Sequence, residues 1–223
     1  MKVLVTGGGT DIPIDDVRYI GNFSSGRFAS DIVVALTGQK INTTLLTHKR
    51  AIKPHVISAN LLDPTDTHNH LYGSDLKYYN YEEYKTFNEY YDKCIQLSLS
   101  HDIIISAAAV SDYTTHKSNG KLKFSNFQIE LHETPKVLPL LKQHNPLLKM
   151  IGFKLLVNPT LQEKEEQIQK ILKYGCEFVV YNDLTKMKQG NHEIELYYPD
   201  VYTQPYSYKD KCAFNLVEHI KKL

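Results

Sequence analysis

The stretch TGGGTDIPIDDVRYIGNFSSG, from Thr6 to Gly26, constrains this chain more than any other. Before it, Lys2-Val3-Leu4-Val5 is a β-branched apolar run of the kind that forms a buried parallel strand. After it, Arg27 to Leu36 carries Phe28, Ile32, Ala35 and Leu36 at helical spacing. Gly7, Gly8 and Gly9 let backbone come close to a ligand without interference from a Cβ. Ser24, Ser25 and Gly26 open a helix, whose free N–H groups and dipole favour an anion. The competing reading is a plain strand–helix connection with serine as the N-cap, and on composition alone the two stand level. A connection in an α/β unit usually takes ~2–6 residues, so one this long needs a reason.

The rest of the composition narrows the class. A chain of 223 residues is long enough for one large domain over residues 1–223. Its formal net charge of +1 and the lack of a Lys/Arg stripe argue against bulk nucleic-acid binding. No apolar run reaches membrane-spanning length, and Met1 leads directly into a strand, which predicts no signal peptide and no membrane partner. Cys94, Cys176 and Cys212 are few and scattered, as suits buried thiols in a reducing compartment. The expectation is a cytoplasmic globular protein.

Read in order, the sequence alternates strand and helix. Ile41 to Thr47 reads as the second strand and Val56-Ile57-Ser58 as a weaker one. Asn60 to Asp75 reads as a surface loop, in which His68-Asn69-His70 is better taken as solvated than as metal-binding. Tyr81 to Leu99 reads as an amphipathic helix and Ile103 to Ser106 as a fully buried strand. That strand ends in Ala107-Ala108-Ala109-Val110-Ser111-Asp112, small residues that let a ligand lie against backbone. A polar loop at about 113–127 follows, predicted mobile, in which Lys121-Leu122-Lys123 can swing over a polyphosphate. Gln128 to His132 reads as a short strand, with Thr134-Pro135 starting the next helix. Met150 to Leu156 and Glu177 to Tyr181 read as strands around a helix from Pro159 to Tyr174, stopped by Gly175. Ile194 to Tyr198 and Asp210 to Lys222 close the chain as strand and helix. This pattern predicts a Rossmann-like three-layer α/β sandwich: a mainly parallel, doubly wound sheet with helices on both faces.

Such a sheet binds ligands outside the carboxyl ends of its strands. Gly7–Gly9, Ala107–Asp112, Phe153-Lys154 and Asn182-Asp183 would gather there. Two chemistries compete for that crevice. A nicotinamide-dependent oxidoreductase is suggested by the glycine turn, His48-Lys49-Arg50 and Tyr81-x-x-x-Lys85, which as helix would share one face. Against it, Gly7-Gly8-Gly9 runs into Thr10-Asp11-Ile12 and misses the G-x-G-x-x-G fingerprint. A nucleotide-activating ligase uses the glycine turn and serine helix start for phosphates, Lys121 for charge developing in reaction, and Asn22 to orient a carboxylate or acyl-phosphate.

The combination VTGGGTDIPIDDVRYIGNFSSG, AAAVSDY, KLK, ETPKVL, GFKLL and YNDL resembles the phosphopantothenate–cysteine ligase family, most nearly its stand-alone bacterial form. The motifs run in family order from Thr6 to Leu184. The resemblance implies that CTP, or ATP, activates the carboxylate of 4′-phosphopantothenate as an acyl-nucleotide, with Mg²⁺ accompanying the triphosphate. L-Cysteine then supplies the attacking amine, in coenzyme A biosynthesis. By the same resemblance Asn22 holds the activated acyl group, Lys121 serves activation, and Ala108 and Ala109 lie against substrate. Gly8, Gly9, Ser24, Ser25, Gly26, Asp112, Pro135, Lys136, Val137, Leu138, Phe153 and Lys170 are implied to contact nucleotide. A homodimer and a separate flavin-dependent decarboxylase acting next in the pathway are implied as partners. Ala29 stands where the family usually has another glycine, and Lys188-Gln189-Gly190 where relatives carry a phenylalanine. Asp15 and Arg18 are an expected ion pair that shapes the opening loop.

Overall fold

The computed structural model describes residues 1–57, 70–72, 75–123, 126–188, 192–209 and 211–223. Strand β1, Lys2–Gly7, leads through a small hairpin of β2, Asp11–Pro13, and β3, Tyr19–Gly21, into α1, Arg27–Gly38. Then come β4, Asn42–His48, the short parallel pair β5, His55–Ile57, and β6, His70–Tyr72, and after them β7, Tyr79–Tyr84. Helix α2, Phe87–Ser98, returns the chain to β8, Ile103–Ser106. A two-residue ladder of β9, Tyr113–Thr114, and β10, His132–Glu133, precedes α3, Val137–His144. The last third runs through β11, Lys149–Leu156, α4, Leu161–Leu172, β12, Cys176–Asp183, and the single-turn α5, Leu184–Lys188. It closes with β13, Ile194–Tyr198, β14, Val201–Tyr208, and α6, Cys212–Ile220.

Among the described residues the main sheet has the order β14-β13-β12-β11-β8-β1-β4-β7. From β12 to β7 every pairing is parallel, and β13 and β14 are antiparallel. Successive side chains on each strand alternate between two cores. Val3, Val5, Ile103, Ile105 and Ile151 pack under α1 and α6, whereas Leu4, Ile104, Met150 and Val179 pack under α2, α3 and α4. Strands buried on both faces in this way read as continuous apolar runs, as these do. The predicted three-layer, mainly parallel α/β sandwich is therefore the observed fold.

The chain moves outward from β1 to β4 and β7, then returns to the other side of β1 as β8. The reversal of strand order thus lies between β1 and β8, where open α/β sheets place their ligands. An isolated parallel bridge between Gly9 and Ala109 prolongs this pairing beyond the strands.

Several boundaries differ from the sequence expectation. The helix expected from Tyr81 begins only at Phe87, because Tyr79–Tyr84 pairs with β4 as an edge strand. Its true start carries the Thr-x-x-Glu signature: Thr86 Oγ1 accepts from the Glu89 N–H, and a Glu89 carboxylate oxygen accepts from the Lys85 N–H at 2.7 Å. Gln128–His132 is not a strand; only His132–Glu133 pairs. Helix α3 has Lys136 as its N-cap, so Pro135 precedes the helix instead of opening it. β13 turns back antiparallel because the link from β12 is too short for a parallel crossover, and β14 was not anticipated. Of His68-Asn69-His70, the first two lie outside the described residues.

Candidate active site

A cleft of about 770 Å³ opens beyond the carboxyl ends of β8, β11 and β12, beside the reversal of strand order. Its floor is Ala107–Asp112, an extended run fastened to the continuation of β1. Thr6 Oγ1 accepts from the Ala108 N–H at 3.2 Å, the Gly8 carbonyl from the Ala109 N–H at 2.8 Å, and Thr10 Oγ1 from the Ser111 N–H at 2.9 Å. Methyl-sized side chains keep this floor close to whatever lies above it.

One wall is the start of α1. Gly26 adopts φ 75°, a left-handed conformation that favours glycine, and no side chain caps the helix at that position. A Cβ on Gly26 would stand 2.8 Å from the Ala51 Cβ, so the chain has no room for one. Ser25 Oγ accepts from the Arg27 N–H at 3.3 Å, and Phe28 and Ala29 of the first turn line the cleft. Ala29 fits because its neighbour is Gly7: a Cβ there would stand 2.5 Å from the Ala29 methyl. Phe28 is also the hub of an aromatic group, edge-on to Phe153 at 6.0 Å and to His192 at 4.5 Å. Burial holds the His192 imidazole below its ordinary pKa, with Asp31 pulling the other way. Asn182 Nδ2 sits 3.4 Å from His192 Nε2 and donates to the Glu193 carbonyl at 3.2 Å.

The opposite wall comes from α3, α4 and the end of β11, and it is cationic. Lys136, Lys154 and Lys170 line it together with Tyr174. Lys136 Nζ lies 2.6 Å from an Asp112 carboxylate oxygen, which holds its pKa above the usual lysine value. Burial pushes Lys154 below that value, Asp112 opposes the shift, and Lys136 and Lys170 add to it.

The hairpin β2–β3 and the loop before β10 form a second assembly beside the cleft. Arg18 Nη2 reaches an Asp15 carboxylate oxygen at 2.5 Å and also donates to the Leu122 carbonyl at 3.0 Å. Asp15, whose side chain is wholly covered, accepts from the N–H groups of Val17, Arg18 and Leu122. The Arg18 guanidinium beside it holds its carboxyl far below the usual carboxylate range. Asp16 accepts from the Gly120 N–H at 2.7 Å and pairs with Lys117 at 2.5 Å. The expected Asp15–Arg18 ion pair is present and holds Leu122, while Asp16 holds Gly120, so the hairpin grips the lysine loop on both sides of Lys121.

The chain matches the family model described as the DNA/pantothenate metabolism flavoprotein C-terminal domain over residues 1–62 and 75–223. It belongs to that family. It is 32% identical over 228 residues to the coenzyme A biosynthesis bifunctional protein CoaBC of Methanocaldococcus jannaschii, covering 100% of this chain and 51% of that protein. The chain thus spans about half the length of the curated relatives it matches. Among solved structures, the DNA/pantothenate metabolism flavoprotein from Streptococcus pneumoniae superposes with a TM-score of 0.81 at 25% identity, covering 100% of this chain and 99% of that one. A Cab2 mutant in complex with phosphopantothenate-cysteine shares the fold, with a TM-score of 0.78 at 18% identity over 99% of this chain and 85% of that one.

For this family member, Ser24, Ser25, Gly26, Ala108, Ala109, Asp112, Pro135, Lys136, Val137, Leu138, Phe153 and Lys170 line the cleft. Gly8 and Gly9 stand behind its floor. A Cβ on Gly8 would stand 2.7 Å from the His48 Cβ, and one on Gly9 would stand 2.9 Å from the Asn22 carbonyl, so close backbone packing accounts for both glycines. Asn22 lies at the rim, where its Nδ2 donates to the Ala109 carbonyl at 2.9 Å. Lys121 is exposed on the clamped loop and does not line the cleft. Lys154 lies with Phe153 at the crevice, where the sequence gathers the two without giving Lys154 a contact; Phe28 and His192 are lining residues that the sequence leaves unassigned. Gln189 and Gly190 lie outside the described residues.

The features that suggested an oxidoreductase have other uses. Tyr81 is in the edge strand β7 and Lys85 in the turn after it, so they do not share a helix face. Arg50 Nη2 lies 2.7 Å from an Asp11 carboxylate oxygen, with its guanidinium 4.4 Å above the Tyr19 ring. His48 Nδ1 accepts from the Arg50 N–H at 3.1 Å and Nε2 faces Asp11 at 3.4 Å. Cys94, Cys176 and Cys212 are buried away from the cleft lining, and burial pushes the first two thiols up to about 12. Among the described residues no group of three His, Cys, Asp or Glu side chains could hold a metal, and no helix is long and apolar enough to cross a membrane.

Proposed function

We propose that this chain joins 4′-phosphopantothenate to L-cysteine at the expense of a nucleoside triphosphate, with CTP as the expected co-substrate and ATP as the alternative. The observation that carries this reading is the shared cleft. Residues from α1, the β8 end, the α3 approach, β11 and α4 come together around it, and they are those the ligase resemblance assigns to nucleotide and substrate. In the first step a carboxylate oxygen attacks the α-phosphorus and pyrophosphate leaves with the bonding pair. In the second, the cysteine amine attacks the acyl carbon, the nucleoside monophosphate leaves, and the amine nitrogen loses its proton.

Charge accumulates on the α-phosphate in the first step, and three features of the chain answer it. The uncapped α1 start offers backbone N–H groups and the positive end of the helix dipole. The lysines of the opposite wall supply full charges. Lys121 supplies the group that acts during activation, and its approach requires the clamped loop to come over the cleft. Preorganised donors of this kind are worth about 2.7–4 kcal/mol each where mutagenesis has removed one. Asn22, fixed to the Ala109 carbonyl, orients the activated acyl group for the amine. Mg²⁺ finds no ready cage of side chains among the described residues, so the nucleotide's own phosphates would carry it. The cysteines take no part, since the nucleophile is the substrate's amine. We further propose that the chain works in the cytoplasm as a homodimer, beside a separate flavin-dependent decarboxylase that consumes its product.

The test is incubation with 4′-phosphopantothenate, CTP or ATP, Mg²⁺ and cysteine while pyrophosphate is followed. Release that depends on phosphopantothenate is expected. Absence of release with either nucleotide would overturn the reading.

A further inference from the structure

Alternation along β11 sets Phe153 and Lys154, in its carboxyl-terminal half, on opposite faces of the sheet. Phe153 packs with the α1 core, as Ile151 does. Gly152 faces α4, where a Cβ would meet Ile171 at 2.4 Å, and Lys154 lies two residues further along that same face. It therefore enters the cleft from the side of Lys136 and Lys170. Three ammonium groups share that side of the cleft with Asp112, a carboxylate that Lys136 already holds at 2.6 Å; the other carboxylate of the lining, Asp31, belongs to α1 on the opposite wall.

Among the described residues Lys154 has no ion pair and no side-chain hydrogen bond. It is half-buried all the same, and its desolvation is only partly offset by the charge of Asp112, which Lys136 already engages. A charged group partly removed from water without a partner is costly, and such a cost persists where a ligand relieves it. The plain alternative is a lysine that covers apolar surface with its stem and keeps its head in solvent. That alternative predicts no dependence of anion affinity on the ammonium.

We propose that Lys154 is a binding residue of this cleft that holds phosphate oxygens of the nucleotide's polyphosphate alongside Lys170. The identity of the nucleotide rests on the ligase reading; the capture of a polyphosphate does not. A second source of the same chemistry is the phosphate ester of the carboxylic acid substrate, and kinetics separate the two.

The experiment titrates inorganic tripolyphosphate into the full chain and into its Lys154→Gln and Lys154→Arg variants by calorimetry, with cytidine as an uncharged control. Loss of a charge-assisted contact predicts affinity for tripolyphosphate about tenfold weaker or more in Lys154→Gln, largely restored in Lys154→Arg, with cytidine binding unchanged. Wild-type tripolyphosphate affinity in Lys154→Gln would overturn the proposal, as would an equal loss of cytidine binding, which would mark a distorted cleft. In the ligase assay Lys154→Gln should raise KM for the nucleotide and leave KM for phosphopantothenate alone; the converse would overturn the nucleotide assignment. If the wild-type chain forms no product while the tripolyphosphate difference persists, the ligase reading falls and the Lys154 site stands.

Discussion

Helices α1 and α4 have the same length, 12 residues each, and opposite beginnings. At the start of α4, Thr160 Oγ1 accepts from the Glu163 N–H at 3.2 Å, and Glu163 Oε2 accepts from the Thr160 N–H at 2.8 Å. Those contacts close the helix end and hold the Glu163 carboxyl below its ordinary pKa. α1 instead starts from a left-handed glycine with no side-chain cap, on the wall of the cleft. A helix end left open costs stability unless something else satisfies its donors. The α4 end is closed by its own side chains, whereas the α1 end on the cleft wall is left to backbone N–H groups and the Ser25 hydroxyl; an uncapped start is not peculiar to the site, since α6 also begins from a left-handed residue, Lys211, without a side-chain cap.

The comparison breaks most decisively if chemistry does not happen beside the open end. Lys121→Gln is expected to lower turnover on the order of 100-fold or more, the scale of one lost transition-state donor, with Asn22→Asp instead impairing consumption of the activated intermediate by repelling its phosphate. Quenched-flow measurement of pyrophosphate and amide formation checks both, and near-normal product formation with saturating substrates would refute the assignments. Gly26→Ala should cost about 1–2 kcal/mol of stability from its left-handed backbone, more if Ala51 cannot shift, and should raise KM for the nucleotide. Thr160→Ala should cost about 1 kcal/mol in denaturant unfolding and leave KM untouched. A change in KM there would erase the contrast between the two helix ends.

The smallest expected effect concerns pH. His219 is buried between Tyr198 Oη and Tyr208 Oη, each 2.7 Å from a ring nitrogen, and burial, then Lys222, holds its pKa below the ordinary 6.5. As pH falls, the unfolded chain binds the proton first, so stability present above about 6.5 is lost toward the lower folded pKa. Thermal melts between about pH 7.5 and pH 5.5 should show this decline, with a shallower slope in His219→Gln. An unchanged slope would assign the decline to His48 and His192, which burial shifts in the same direction.

What the sequence disclosed follows a physical divide. β1, β8, β11 and β12 are buried on both faces, and continuous apolar runs announce such strands without help from context. β7 and β14 lie at the sheet edges, where one-sided contact leaves weak patterning; the tyrosines of Tyr79–Tyr84 match helical spacing as well as an edge strand. The β2–β3 hairpin is held by tertiary bonds from Asp15 to Leu122 and from Asp16 to Gly120, which no local pattern encodes. In the cleft, residues borne on motifs could be named in advance. Phe28 and His192 enter it through packing across the sheet and left no such trace.

The ion pair of Asp15 and Arg18 reaches beyond its own loop. Asn22 follows the hairpin directly and is tied to the Ala109 carbonyl, and Lys121 sits between Gly120 and Leu122, whose N–H groups the hairpin holds. Two groups proposed for successive steps therefore hang from one frame, so damage at Asp15 would be felt at both.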